Sequence, residues 1–180
     1  MVLVKYLIPI AVVFLSLFSC SNEPSLQKYL IEKQDDNKFM KIDLSSSLLQ
    51  SKNSSFTPEQ QEILNTIKKV NIVAYNVDQG GVLEYEAKKE ELSSIMSQDK
   101  YKTLITVGSN DKGVTLKYLG EEDAMDEVVI FASDNEKGFA VFRLLGEKMR
   151  PDQMIVLMSS FDNGDLDLSQ LSGIGELFDI

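Results

Sequence analysis

The sequence predicts a single α+β domain, with helices mainly in its N-terminal half and an antiparallel β meander in its C-terminal half. Up to Gln98 apolar residues recur with the 3.6-residue period of helices, and after it with the two-residue period of strands. Turn residues separate the later apolar runs at spacings typical of consecutive antiparallel strands. No repeat or linker divides the 180 residues, a length that suits one domain.

Helical patterns dominate the first half. Thr57, Pro58 and Gln60 form a capping-box sequence, in which threonine caps the helix, proline takes its first position and glutamine bonds back to the cap. Glu84 and Lys88 are spaced for an i,i+4 ion pair on a later helix. The predicted helices are Ser25–Lys33, one that begins at Pro58 and buries Ile63, Leu64 and Ile67, and Val82–Ser97, which buries Leu92, Ile95 and Met96.

Strand patterns lie between these helices and fill the second half. Phe39–Leu44 alternates apolar residues on one face with Lys41 and Asp43 on the other, which is typical of a strand with one wet face. If the strands at Ile72 and Tyr101 are parallel neighbours, the helix between them makes a right-handed crossover. The other predicted strands are Ile72–Tyr75, Tyr101–Val107, Val114–Leu119, Glu127–Ala132, Phe139–Leu145 and Met154–Met158.

Composition excludes several function classes. With 28 acidic and 18 basic residues the net charge is −10, which argues against a nucleic-acid partner because such partners need basic surfaces. The chain has no histidine, so it has no imidazole base or histidine metal ligand. Its single cysteine cannot form an internal disulfide or a cysteine-based zinc site. We therefore predict no catalytic residue, metal or cofactor.

The first 19 residues predict a signal peptide. Lys5 precedes an apolar run, Tyr6–Phe18, whose 13 residues would make a helix of about 20 Å. That run is short for a bilayer span, which takes about 20 apolar residues, and suits the apolar region of a signal peptide. An uncleaved anchor helix and a plain secretory signal are the alternatives.

The residues that follow predict lipidation. Leu17-Phe18-Ser19-Cys20 resembles a bacterial lipobox, in which the small residue admits the peptidase and the thiol accepts a diacylglyceryl group. We expect acyl chains on Cys20 to hold the protein in the membrane, since two or more chains give stable anchoring. The chain then divides into signal peptide 1–19, tether 20–24, domain 25–161 and tail 162–180, the tail covering a sheet edge or being mobile. This predicts a lipoprotein of the bacterial cell envelope, in the outer membrane.

Other candidate sites favour structural explanations. The carboxylates of Glu121–Glu127 could hold a hard cation, but a solvated connection between strands is the preferred interpretation. The segment Asp162–Asp167 fails the EF-hand spacing in either register. Gly80-Gly81 precedes a helix, where a flexible turn is preferred over an anion site. Core positions are likewise preferred over a sugar-stacking role for four tyrosines: Tyr75, Tyr85, Tyr101 and Tyr118.

Two stretches carry a family resemblance. Ser25–Leu49 and Leu92–Asp134 are similar in pattern and order to an uncharacterised family of Bacteroidetes-type lipoproteins that carry the domain of unknown function numbered 4252. The resemblance implies a signal peptide, a lipid-accepting cysteine and a small α+β domain. It supplies no catalytic residue. The connection Glu121–Glu127 and the tail Gly164–Ile180 depart from the family pattern.

Three functions remain open on the sequence alone. The first is a non-catalytic envelope domain that binds a protein partner or contributes to assembly. The second is a regulatory or sensory lipoprotein. The third is a hydrolase that uses carboxylates, and it requires a pocket in which two carboxylates converge.

Overall fold

A computed structural model describes residues 23–45, 47, 56–109 and 111–162. Within these residues, six strands and four helices carry the fold, together with short 3-10 turns at Lys33–Asp35 and Val77–Gln79. The helices are α1 (Leu26–Glu32), α2 (Pro58–Thr66), α3 (Gly81–Met96) and α4 (Pro151–Asp162). The strands are β1 (Phe39–Ser45), β2 (Ile67–Asn76), β3 (Lys102–Gly108), β4 (Lys112–Glu121), β5 (Ala124–Asp134) and β6 (Gly138–Met149).

The six strands form one antiparallel sheet in the order β1-β2-β6-β5-β4-β3. The predicted meander is confirmed, because β3 to β6 are neighbours in chain order. A right-handed βαβ crossover would require the strands at Ile72 and Tyr101 to be parallel neighbours. They are not neighbours, since β6, β5 and β4 lie between β2 and β3. Strand β2 lies between two other strands and is covered on both faces. Its sequence agrees with this, because every residue of the apolar run Ile72–Tyr75 is buried, whichever face it points to.

Helices cover both faces of the sheet. We call the side under α2 and α4 the aliphatic face and the side under α1 and α3 the aromatic face. Buried residues on the aliphatic face include Leu64, Ile72, Leu116, Val128, Leu144 and Met154. Buried residues on the aromatic face include Tyr29, Phe39, Tyr75, Tyr85, Phe131 and Phe139. Alternation sends the odd-numbered residues of β1, of β2 from Lys69 onward and of β6 up to Leu145 to the aromatic face, whereas Ile67 and Met149 lie on the aliphatic face.

Local helix signals in the sequence are confirmed. Thr57 accepts a hydrogen bond from the Gln60 N–H, and the Gln60 side chain accepts one from the Thr57 N–H, which completes the capping box of α2. Ser25 caps α1. The predicted Glu84–Lys88 ion pair is present in α3 at 3.4 Å.

The prediction of a strand at Met154–Met158 is wrong, because this run lies in α4. Met154 and Leu157 are buried three residues apart, whereas Ile155 is 49% exposed. Burial at three-residue spacing is helical. Pro151 occupies the first position of α4, and the Gln153 side chain accepts a hydrogen bond from the Arg150 N–H. Three contiguous apolar residues hid this helical start.

The prediction of a solvated connection over Glu121–Glu127 holds for Glu121, Glu122, Asp123 and Asp126, which are exposed, but fails at Glu127. Glu121 pairs with Ala124 across a tight hairpin, so the carboxylates beyond Asp123 lie within β5. The pairing of β4 with β5 shifts register between Leu119 and Gly120, just before this hairpin, and Gly120 has a φ of 103°. Glu127 is buried, with 7% exposure, beside a basic residue 16 positions later. The partner of Glu127 lies too far along the chain for a local sequence pattern to predict that this carboxylate is buried.

Candidate functional site

A row of polar side chains crosses the aromatic face at the middle of the sheet. Asp43 of β1 lies opposite Asn71 of β2, and Asn71 lies opposite Arg143 of β6. The Asn71 side-chain amide donates a hydrogen bond to the Asp43 carboxylate. Asn71 and Arg143 are both buried, with 9% exposure. Three neighbouring strands therefore place polar groups beside a buried cluster that is mainly aromatic and aliphatic.

The row ends in a buried ion pair. Arg143 Nη2 donates a 2.7 Å hydrogen bond to Glu127 Oε2 on β5. The two side chains are 11% and 9% exposed. Arg143 Nε and Glu127 Oε1 are buried without a hydrogen-bond partner among the described residues. Two charged groups thus leave water while part of their hydrogen-bonding capacity stays unused, which is a costly arrangement.

A pocket of about 180 Å³ opens beside this row, between α1 and the strands β1, β2 and β6. Gln27 and Ile31 of α1 and Gln34 of the 3-10 turn that follows it form one wall, and Ile31 is 53% exposed. The strand side supplies five polar or charged residues and three apolar ones: Lys41, Asp43, Lys69, Asn71, Arg143, Ile72, Val73 and Leu145. The pocket therefore combines a buried guanidinium with two amines at its rim.

Positive charge is concentrated in this pocket. Three cations line it, Lys41, Lys69 and Arg143, whereas Asp43 is the one carboxylate among its described lining residues. Lys41 Nζ is held by the backbone carbonyl oxygens of Gln34 and Asp36. When the Glu127 carboxylate that pairs with Arg143 is counted with Asp43, two negative charges face three positive ones. The pocket therefore keeps an excess of one positive charge on a chain whose net charge is −10.

A second polar group lies on the same face, above its aromatic rings. Lys88 Nζ lies 4.8 Å from the centre of the Phe39 ring and 5.4 Å from that of Tyr75. The same amine contacts Asp36 at 3.3 Å, and Glu84 accepts a 2.7 Å hydrogen bond from Lys38. The ion pairs tie α3 to the segment that leads into β1. Cations over rings add stabilisation of about 0.5–2 kcal/mol each, according to exposure.

On this face the pKa values of two carboxyl groups are lowered and those of two tyrosines are raised. The hydrogen bond from the Lys38 N–H and the nearby Lys88 amine lower the pKa of Asp36. The hydrogen bond from the Lys38 amine lowers the pKa of Glu84. Burial raises the pKa of Tyr29 far above its usual value and that of Tyr85 to about 12. All four groups therefore keep their ordinary charge state near neutral pH.

Gly80 provides no room for an external anion. A Cβ atom at this position would overlap the Glu84 carboxylate and the Tyr75 hydroxyl. The carboxylate beside the start of α3 thus belongs to the chain itself, at the end of the helix where negative charge is favoured. The preference for a turn over an anion site agrees with this packing.

The sequence-predicted site residues fall into two groups. Leu17, Phe18, Ser19 and Cys20 lie outside the described residues, as do Asn163–Asp167 and the rest of the tail. The four tyrosines expected in the core are buried, with exposures of 0–6%. The carboxylates of Glu121–Glu127 do not converge, and the described residues contain no cluster of three or more groups suited to a metal ion.

Sequence reasoning missed the pocket. Its signals are Asn71 within the apolar run Val70–Tyr75, and Arg143 two positions after Val141 on the inward face of β6. A charged residue at a core position of a strand indicates a buried partner or a site. Finding that partner requires the pairing of β1, β2 and β6, and β1 and β6 are far apart in the sequence.

The comparisons with known proteins bear on the family. The model of the domain of unknown function DUF4252 matches residues 29–157, more than two thirds of the chain. The chain belongs to this family. No curated protein and no solved structure matches it. Within the described part of the chain, no helix has both the length and the apolar character needed to cross a bilayer.

Proposed function

We propose that this chain is a lipid-anchored protein of the bacterial cell envelope, held in the outer membrane by acyl chains on Cys20, and that its α+β domain binds another protein without catalysing a reaction. Support for the anchor comes from the lipobox-like Leu17-Phe18-Ser19-Cys20 and the apolar run before it. The observation that carries the binding role is the cationic pocket around Arg143 on an otherwise acidic chain.

The start of the domain would hold it close to such an anchor. The Pro24 carbonyl accepts a 2.6 Å hydrogen bond from the Gln98 side chain, and Leu26 is fully buried. The chain is therefore fixed to the domain from residue 24 onward. An extended chain spans at most about 3.6 Å per residue, so the four steps from Cys20 to Pro24 reach about 14 Å. Pro24 would lie near the bilayer surface, and α1 begins two residues later.

The pocket supports binding better than hydrolysis. A carboxylate-dependent hydrolase places two carboxyl groups on either side of the bond that it cleaves. Asp43 lines the pocket, whereas Glu127 does not line it and accepts a hydrogen bond from Arg143. A carboxylate that holds a buried guanidinium positions that group for recognition. This favours a site that captures a charged group from a partner.

The anchor is tested by fractionating cells that express the chain or its Cys20→Ala variant. We expect the unaltered chain in the membrane fraction, with the mass of a diacylglyceryl group on an N-terminal cysteine. The Cys20→Ala variant should lose that mass and leave the membrane fraction, whereas Ser21→Ala should behave like the unaltered chain. Retention of Cys20→Ala in the membrane would contradict the lipid anchor.

The binding role is tested by affinity purification from detergent-solubilised envelopes. We expect one partner protein at a constant ratio to the bait, and loss of that partner when the pocket carries Lys69→Glu. The control variant is Lys100→Glu, which makes the same charge change at an exposed lysine that does not line the pocket. Recovery that is equal for both variants would contradict a role for the pocket.

A further inference from the structure

We propose that the pocket between α1 and β1 captures the C-terminal carboxylate of a polypeptide, with Arg143 and Lys69 at the carboxylate and Asp43 at the N–H of the last peptide bond. This inference names the ligand of the proposed binding role and rests on it. It does not depend on the lipid anchor.

The cations are arranged for a single negative charge. Arg143 lines the pocket and is already held in place by Glu127, so little side-chain freedom is lost when a ligand binds. Its guanidinium carries five N–H donors, of which Nε has no partner among the described residues. Lys69 of β2 lies two residues before Asn71, on the same face, and is exposed at the rim. A carboxylate would gain charge-assisted hydrogen bonds from both side chains.

The size of the pocket limits what can enter. Pockets for drug-sized ligands span about 300–1,000 Å³, whereas this one measures about 180 Å³. That volume suits one terminal residue of a chain whose remainder stays outside. Leu30 and Val73 line the pocket and offer apolar contact for a small terminal side chain.

Asp43 distinguishes a peptide terminus from a simple anion. Its carboxylate accepts a hydrogen bond from Asn71 and lines the same pocket as the cations. A doubly charged phosphate would be repelled by this group. A peptide terminus instead carries an N–H donor a few bonds from its carboxylate, and that donor can bond to Asp43. The mixed lining therefore favours a carboxylate accompanied by a donor.

The test is an NMR titration of the full chain in detergent micelles, observing the Arg143 Nε–H signal. Acetyl-trialanine with a free C-terminus should shift this signal until it saturates. The same peptide with a C-terminal amide should bind about tenfold more weakly or worse, as expected when a charge-assisted hydrogen bond is lost. Inorganic phosphate should bind more weakly than the free peptide.

Variants locate the effect. Lys69→Gln should weaken binding of the free peptide about two- to fivefold, the range for a partly exposed charge, whereas Lys100→Gln should leave it unchanged. Equal binding of the free and amidated peptides, tighter binding of phosphate, or no effect of Lys69→Gln would overturn the proposal. If the peptide fails to bind while purification still recovers a pocket-dependent partner, the binding role stands and only the ligand assignment falls.

Discussion

The two faces of the sheet are both buried under helices, but different kinds of side chain fill them. The aliphatic face buries Ile, Leu, Val, Met and Ala side chains, with Tyr118 as its one aromatic residue among the fully buried members. The aromatic face packs four rings against Phe39 and Phe139, places lysines over them and contains the Arg143–Glu127 pair. Both faces are covered by helices, so burial alone does not explain the difference.

The unsatisfied polar atoms separate the faces further. Five buried side-chain atoms in the described residues lack a hydrogen-bond partner: Tyr29 Oη, Tyr75 Oη, Gln98 Oε1, Glu127 Oε1 and Arg143 Nε. Four of them belong to residues on the aromatic face, and Gln98 follows α3, which covers that face. Such atoms are rare in native proteins and cost stability. Their concentration indicates that the aromatic face serves more than stability.

The largest expected effect comes from breaking the buried ion pair. Arg143→Met leaves Glu127 buried without its partner and should lower the free energy of unfolding by about 3–5 kcal/mol. The double variant Arg143→Met/Glu127→Met removes both charges and should recover most of that loss, because replacing a whole buried pair by apolar residues is often neutral. Urea denaturation of the three proteins measures both values. A double variant as unstable as the single one would show that the pair is kept for stability.

A second prediction concerns the aliphatic face. Thr57→Ala removes the capping hydrogen bond of α2 and should cost about 0.5–2 kcal/mol. The same variant should leave peptide binding at the pocket unchanged, since α2 covers the opposite face. Denaturation and the NMR titration on one sample measure the two effects. Loss of binding in Thr57→Ala would contradict the separation of roles between the faces.

Two tyrosines sharpen the comparison within the aromatic face. Tyr85 Oη donates a hydrogen bond to Asn135, so Tyr85→Phe should cost about 0.5–1.5 kcal/mol. Tyr29 Oη has no partner among the described residues, so Tyr29→Phe should be neutral or slightly stabilising. Thermal unfolding of both variants tests the contrast. Equal destabilisation would show that the Tyr29 hydroxyl is satisfied in solution.

The smallest expected effect is a dependence on acid. Asp36 and Glu84 have pKa values lowered in the folded state, so their contribution to stability is complete above the usual carboxyl pKa and is lost as the pH falls through the lowered values. The urea midpoint should therefore fall between about pH 5 and about pH 3. Glu84→Gln should reduce this fall, whereas Glu90→Gln, an exposed change on the same helix, should leave it unaltered. An unchanged fall in Glu84→Gln would argue against the ion pairs.

Local patterns predicted much of the fold because short-range physics fixes those elements. The capping box at Thr57 and the turn-separated strands β3 to β6 depend on neighbours within a few residues, and the box and the antiparallel order of these strands are confirmed. The strand predicted at Met154–Met158 was wrong because a short apolar run fits either period. Pattern and order also predicted the domain of unknown function numbered 4252, and the match over residues 29–157 confirms that domain.

The pocket was beyond sequence reasoning for a different reason. Lys41 and Asp43 were correctly placed on the polar face of a strand, yet nothing local relates them to Arg143, about 100 residues later. Only the placement of β2 between β1 and β6 brings the three side chains to one surface. A site that depends on strand order can be found only once the fold is known, whereas caps and turns can be predicted from the local sequence.

The most direct test of the difference between the faces is site-specific photo-crosslinking in intact cells. A photoreactive residue is introduced at Ile31, which lines the pocket and is 53% exposed, or at Ile155, which is 49% exposed on α4 over the aliphatic face. Both positions are isoleucines on helices with nearly equal exposure, so they differ mainly in the face that they occupy. We predict a crosslinked partner polypeptide from position 31 and none from position 155. Crosslinking from position 155 alone, or equally from both positions, would contradict the assignment of binding to the aromatic face.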